Sequence, residues 1–232
     1  MIKYSNLYIV ELIDYENNIN LILFGGVMEL RITENIRKKD HKKAIQFAID
    51  GMHFHWYFNN NFFLNLYGKY FWYSEMLKAT QILAVYADEE FAGVLLAGVK
   101  GEKRKYHSFW KSLYVKAFEA MQHLLAKDSA GEYERVNNEM FEDYCKKNNP
   151  DGEIVFLAAN PDIKIKGIGT MLLEEFERRE KGKKVYLYTD DACTYQFYDH
   201  RGFERAGEKD IVMDLGYKKM NLKCFLYSKE IK

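Results

Sequence analysis

The stretch GEIVFLAANPDIKIKGIGTMLLEEF, residues 152–176, constrains this chain more than any other. An apolar run breaks at Asn160-Pro161, passes Lys164 and Lys166, and restarts on Gly167-Ile168-Gly169. The restart is an amphipathic helix, because Ile168, Leu172 and Phe176 recur every fourth position while Glu174, Glu175, Arg178 and Arg179 face away. A strand that leads through a glycine loop into a helix can grip a phosphate. The first helical turn has N–H groups without intrahelical partners, the helix dipole favours an anion there, and glycines allow close approach. The same glycines also suit close packing of helix on strand.

Two phosphate loops are excluded by residue. No G-x-x-x-x-G-K-[ST] occurs, and G-x-G-x-x-G fails because Leu172 stands at the third glycine position. Triphosphate and dinucleotide readings lose their main support.

Lys+Arg and Asp+Glu both number 34, so a formal charge of +0 gives no electrostatic case for nucleic acid or an anionic membrane. Any anion site must be local, and Lys164 and Lys166 supply local charge. Cys145, Cys193 and Cys224 are far apart and lack C-x-x-C spacing, so neither a disulfide framework nor a metal site is expected, and a reducing cytoplasm is the default. The apolar N-terminal run is interrupted by Glu11, Asp14 and Glu16 and lacks the basic flank of a signal peptide, so it is not expected to span a membrane.

Runs 7–13 and 19–24 read as a β-hairpin, giving an extension over 1–27 that could serve as an edge strand, a tail or a homodimer contact. A domain over 28–232 then opens with a strand at 29–34 and a helix at 38–51. An aromatic-dense section follows, and "QILAVYADEEFAGVLLAGV" gives an antiparallel strand pair. Between 101 and 150 the pattern is helical, with one stripe of Trp110, Leu113, Ala117, Met121 and Leu124 and a second of Val136, Met140 and Tyr144. Strands at 152–160 and 184–190, a short helix at 194–200, and closing strands at 203–213 and 220–228 complete an α+β mixed sheet flanked by helices.

"NPDIKIKGIGTMLL" resembles motif A of the GCN5-related N-acetyltransferases, the GNAT superfamily, written Q/R-x-x-G-x-G/A, with Lys164 at the Gln/Arg position and Gly167 and Gly169 at the glycines. "DDACTYQFYDHRGF" resembles the family's later segment through Asp191, where the family has Asn, and through Phe197, Tyr198, Gly202 and Phe203. The chain departs from the pattern at Lys164, at Ile165 and at Asp191, and the helical insert at 101–150 replaces a short turn.

The resemblance implies a predominantly antiparallel sheet with two splayed central parallel strands, and transfer of an acetyl group from acetyl-CoA by direct attack of a primary amine of a small molecule or peptide. On that basis the amides of Lys164, Ile165, Lys166, Gly167, Ile168, Gly169 and Thr170 would hold the pyrophosphate, and Asp191 belongs to the cofactor site. Leu157, Ala158 and Ala159 would pair with the pantetheine arm, and an N–H near Leu157 or Ala158 would stabilise the oxyanion. Tyr198 occupies the position of the acid that protonates the departing thiolate, although core packing would also suit it. Glu153 resembles the glutamate base of the histone-acetylating branch, and strict alternation puts it on the face of Val155, Leu157 and Ala159; a solvated strand-end carboxylate is the other reading.

His53, His55 and the neighbouring aromatics form either a core patch or one wall of a pocket for a hydrophobic or aromatic amine, and the insert either is a solvated helix pair or covers the acceptor mouth. A rival reading of the whole chain is an acyl-CoA-binding module without transfer, serving as sensor or assembly subunit.

Overall fold

The computed structural model describes residues 18–23, 26–125, 131–215 and 219–232. Among the described residues eight strands form one sheet, ordered β1-β2-β3-β4-β5-β6-β8-β7. Every neighbouring pair is antiparallel except β5 and β6. This is the mixed sheet that the resemblance implied.

β1 (Asn18–Leu23) pairs with β2 (Gly26–Thr33). Residues 19–23 fold onto the strand after them, and residue 28 falls inside β2. The run at 7–13 lies outside the described residues. β3 (Gln81–Ala87) and β4 (Glu90–Val99) are the buried centre of the sheet. Between them Asp88 adopts φ 50°, a conformation that Asp tolerates, and its carboxylate accepts the Glu29 N–H at 2.9 Å.

Helices cover both faces. α1 (His41–Gly51) and α2 (Asn61–Lys78) pack on one face through Ile45, Phe47, Ala48, Trp72 and Met76, together with Phe156 from the sheet. α2 starts at Asn60, whose side chain accepts the Phe62 N–H at 2.7 Å. On the other face α5 (Ile168–Arg179) inserts Ile168, Leu172, Leu173 and Phe176. Burying a side chain such as Phe176 contributes roughly 2–3 kcal/mol.

Two helices connect β4 to β5. α4 (Gly131–Cys145) buries the expected stripe, Val136, Met140 and Tyr144, against Ile211, Leu222 and Leu226 of the closing strands β7 (Glu204–Asp214) and β8 (Lys219–Glu230). α3 (Phe109–Leu125) departs from expectation. Trp110 and Leu113 are 76% and 48% exposed, whereas Val115 and Phe118 are buried. Aromatic contacts decide the orientation: Tyr114 meets Tyr73, and Phe118 stacks on Tyr70 at 4.5 Å, so this face of α3 turns to α2 and Trp110, Leu113, Ala117 and Met121 turn to solvent.

Candidate active site

β5 (Gly152–Ala159) and β6 (Lys184–Asp190) are paired at only two positions, Gly152↔Val185 and Glu153↔Tyr186. Beyond them the strands separate. Among the described residues the edge of β5 from Ile154 onward therefore faces no strand, and unpaired strand edges bind extended chains.

Which groups that edge offers follows from alternation. Asn160 N–H donates to Ala92 O at 2.8 Å, and Ala158 O lies beside Gly93, so the backbone groups of 158 and 160 point at β4. Those of Leu157 and Ala159 point into the gap. Ala158 borders the cleft, its side chain packs against the α1–α2 core, and its backbone is taken.

A bulge re-aims the strand. Phe156 pairs with Leu96 and Ile154 with Ala97, so Val155 is the extra residue. The extra residue flips what precedes it: Ile154 joins the α5 face, although Phe156, two residues later, packs on the α1–α2 face. Glu153 is accordingly on the side opposite Leu157, and the face expected from strict alternation is corrected. Its carboxylate accepts the Tyr186 hydroxyl at 3.0 Å, and burial raises its pKa, with Glu75 pushing in the same direction.

The gap opens into a cleft of about 1650 Å³. Val155, Leu157, Ala158, Ala159, Ile165 and the start of α5 from Gly167 to Thr170 line one end. Gly167 caps α5 at φ 91°, and the first amide to find a helical acceptor is that of Met171, bonded to Gly167 O at 2.9 Å. Glycine meets that backbone without the strain a side chain would carry. The amides of the first turn are thus free to meet an anion at the cleft. Lys164 and Lys166 do not line it: Ile163 and Ile165 pack on the core and turn the lysine side chains outward. Lys164 borders a separate hollow with Asp88, Glu89 and Glu90.

Tyr198, on α6 (Gln196–His200), lines the cleft and packs against Phe197, Phe203 and Tyr227. Burial holds its phenol well above the usual range, so it stays protonated. Its hydroxyl makes no hydrogen bond among the described residues.

Glu153 and Asp191 do not line the cleft. Asp191 is exposed, and its carboxylate accepts the Lys223 N–H at 3.0 Å, which ties it to β8. The carboxylate of this strand end that lines the cleft is its neighbour Asp190, buried and accepting from Ala192 N–H, Cys193 N–H and the Tyr133 hydroxyl. The Asp-Asp pair signalled a polar strand end without showing which member turns inward. Tyr133 lies 57 residues away in sequence, so nothing local could announce it.

The other end of the cleft is aromatic. Phe54, Trp56, Tyr57, Tyr67, Tyr70 and Tyr188 line it. His53 stacks on Trp56 at 4.3 Å and its Nε2 lies 3.3 Å from Ala192 O, whereas His55 is exposed. The segment read as either core patch or pocket wall is both, since Phe54 is buried in the core and also borders the cleft.

No family model and no curated protein sequence matches the chain. Solved structures do match. A histone acetyltransferase HPA2 and related acetyltransferase from Corynebacterium glutamicum shares 14% identity over 87% of this chain and 96% of its own, with a TM-score of 0.55. The chain has the GNAT fold. An arylalkylamine N-acetyltransferase 7 from the yellow fever mosquito aligns with a TM-score of 0.53 at 14% identity, covering 90% of each chain. The splay of β5 from β6 is the one that the resemblance implied for the sheet. Among the described residues no helix is long and apolar enough to cross a membrane.

Proposed function

We propose that the chain is an acetyl-CoA-dependent N-acetyltransferase acting on a primary amine of a small molecule or peptide. One observation carries this reading: the unpaired edge of β5 runs directly to the unbonded amides at the start of α5. An amide-rich arm joined to a pyrophosphate needs those two features in that order, so the residues present fit acetyl-CoA. The cosubstrate supplies an activated acyl group on sulfur.

The chain's own residues then have defined tasks. Leu157 and Ala159 present backbone groups that hold the arm as an added strand, and Leu157 N–H meets the negative charge that develops on the acyl oxygen. Gly167, Ile168, Gly169 and Thr170 bind phosphate oxygens through their amides. Tyr198 donates a hydrogen bond to the departing sulfur, whose thiol has an ordinary pKa of about 8.5. Asp190, at the splay end of β6, is a carboxylate of the cleft wall that can take the amine's proton through water. Glu153, outside the cleft, supports the junction from which the strands diverge.

The test is release of free CoA thiol on pools of primary amines, with product mass read in parallel. Thiol appearing in equal amount with N-acetyl product supports the proposal. Tight acetyl-CoA binding without turnover on every pool favours a binding module instead.

A further inference from the structure

The side that α3 turns away from the protein is its apolar one. Phe109, Trp110, Leu113, Ala117, Ala120 and Met121 share that side and all are exposed, Phe109 at 74% and Trp110 at 76%. The opposite side is occupied, since Val115 and Phe118 are buried and Glu119 and Gln122 line the cleft. Lys116, at the margin, is the one charged residue of the outward side. A solvated helix face is normally rich in charge, and an exposed apolar face of this length marks an interaction surface. The charge around it says what covers it. The chain's balance of 34 basic and 34 acidic residues is not kept here, because residues 103–118 hold Lys103, Arg104, Lys105, Lys111 and Lys116 and no Asp or Glu. The basic segment is held beside the helix: Lys105 N–H donates to Ala79 O at 3.1 Å, and Lys111 Nζ donates to the Tyr106 hydroxyl at 2.8 Å. Lys105 pairs with Glu34, and Lys111 lies over the rings of Tyr73 and Tyr106. Lys103, Arg104 and Lys116 are exposed and have no ion pair among the described residues. The nearest acids in sequence and on α2 are engaged elsewhere, Glu102 with Lys183 and Glu75 with Lys78.

We infer that α3 is an interfacial helix that docks the protein on an anionic lipid surface. Phe109, Trp110, Leu113 and Met121 enter the boundary between headgroups and acyl chains, and Lys103, Arg104 and Lys116 meet the headgroup charge. Trp at the start of the outward face suits that boundary, where one edge of the ring is apolar and its N–H stays wet. Two other occupants fit less well. A second copy packed on the same face about a two-fold axis would bring Lys116, near the middle of the helix, against its own counterpart. A nucleic acid would use the basic residues and gain nothing from Leu113, Ala117, Ala120 and Met121, which offer no group to a phosphate or a base edge. Each free cation near an anionic surface contributes about fivefold to binding, so three give a preference of roughly 10²-fold for anionic over neutral lipid.

Cosedimentation of the full chain with two vesicles tests this, one of phosphatidylcholine alone and one with an equal share of phosphatidylglycerol. Binding should favour the anionic vesicles by roughly 10²-fold and fall as salt is raised. Brominated acyl chains should quench part of the tryptophan emission, and Trp110→Ser should abolish that quenching, because Trp72 is fully buried and Trp56 borders the cleft. The double variant Phe109→Ser, Trp110→Ser should weaken binding about tenfold or more. A second one, Lys103→Glu, Arg104→Glu, should remove the preference for anionic lipid. All four positions are exposed, so both variants should melt as the unaltered protein does. Absence of binding to the anionic vesicles, equal binding to both kinds, or a partition that neither variant changes overturns the inference. So does tighter binding of a single-stranded oligonucleotide than of anionic vesicles, which assigns the face to nucleic acid. A dimer at sedimentation equilibrium that Trp110→Ser splits overturns it too, and assigns the face to a second copy. None of these readouts needs turnover, so they leave acetyl transfer to its own test.

Discussion

Glu153 and Tyr186 face each other across the last rung of parallel pairing between β5 and β6, with the Tyr186 hydroxyl donating to the Glu153 carboxylate at 3.0 Å. The strands part immediately beyond this rung. Burial raises the carboxyl's pKa, so the folded state keeps the proton to higher pH than the unfolded chain does. Ionisation of Glu153 therefore opposes folding, and stability falls as pH rises from the ordinary value of 4.5 through the raised one. Gln at this position accepts the same hydrogen bond and carries no charge. Glu153→Gln should melt higher than the unaltered protein at neutral pH, and the gap should close on acidification below about 4.5. Thermal melts across pH check this, and an equal gap at all pH values would refute it.

Tyr198 should matter to turnover and not to cofactor affinity. Tyr198→Phe keeps the ring among Phe197, Phe203 and Tyr227 and removes only the hydroxyl. A fall in kcat of about 10²-fold with unchanged acetyl-CoA binding is expected. Stopped-flow thiol release together with calorimetry measures both, and unchanged turnover removes Tyr198 from the chemistry.

Thr170 separates helix stability from phosphate binding by sign. It lies in the first turn of α5 and lines the cleft. A carboxylate there favours the helix by about 0.3–1 kcal/mol and repels phosphate. Thr170→Asp should hold or raise the melting temperature of the free protein while weakening acetyl-CoA about tenfold or more. A variant that binds acetyl-CoA as well as before would place the phosphates elsewhere.

His41 should make the α1–α2 face acid-sensitive. Its Nδ1 accepts the Trp72 Nε1–H at 2.9 Å, which requires the neutral ring. Burial lowers its pKa from 6.5 to about 4, and Lys111 adds to the shift. Below 6.5 the unfolded chain takes up a proton that the folded chain refuses, so stability is lost from there down to about 4. His41→Gln retains an acceptor for Trp72 without titrating. Denaturant melts should show a flatter pH slope for the variant in that window; equal slopes would refute the assignment.

The parts of the site that were legible in the sequence are local ones. A strand end at Asn160, a glycine cap at Gly167 and apolar spacing of four are properties of neighbouring residues, and each forms as read. The misread parts depend on partners far along the chain. The bulge at Val155 is set by register against β4, so the face of Glu153 cannot follow from alternation within β5. The outward turn of Trp110, Leu113, Ala117 and Met121 is set by aromatic residues of α2, which draw Tyr114 and Phe118 inward instead. Asp190 faces inward because Tyr133, on the insert, meets it there.

A crystal structure with CoA bound tests the central claim most directly. The account predicts the pantetheine arm lying between β5 and β6 and hydrogen-bonded to the backbone of Leu157 and Ala159. The pyrophosphate should sit on the amides of residues 167–170, and the sulfur beside the Tyr198 hydroxyl. CoA bound away from the splay, or seated there with its sulfur remote from Tyr198, would contradict it.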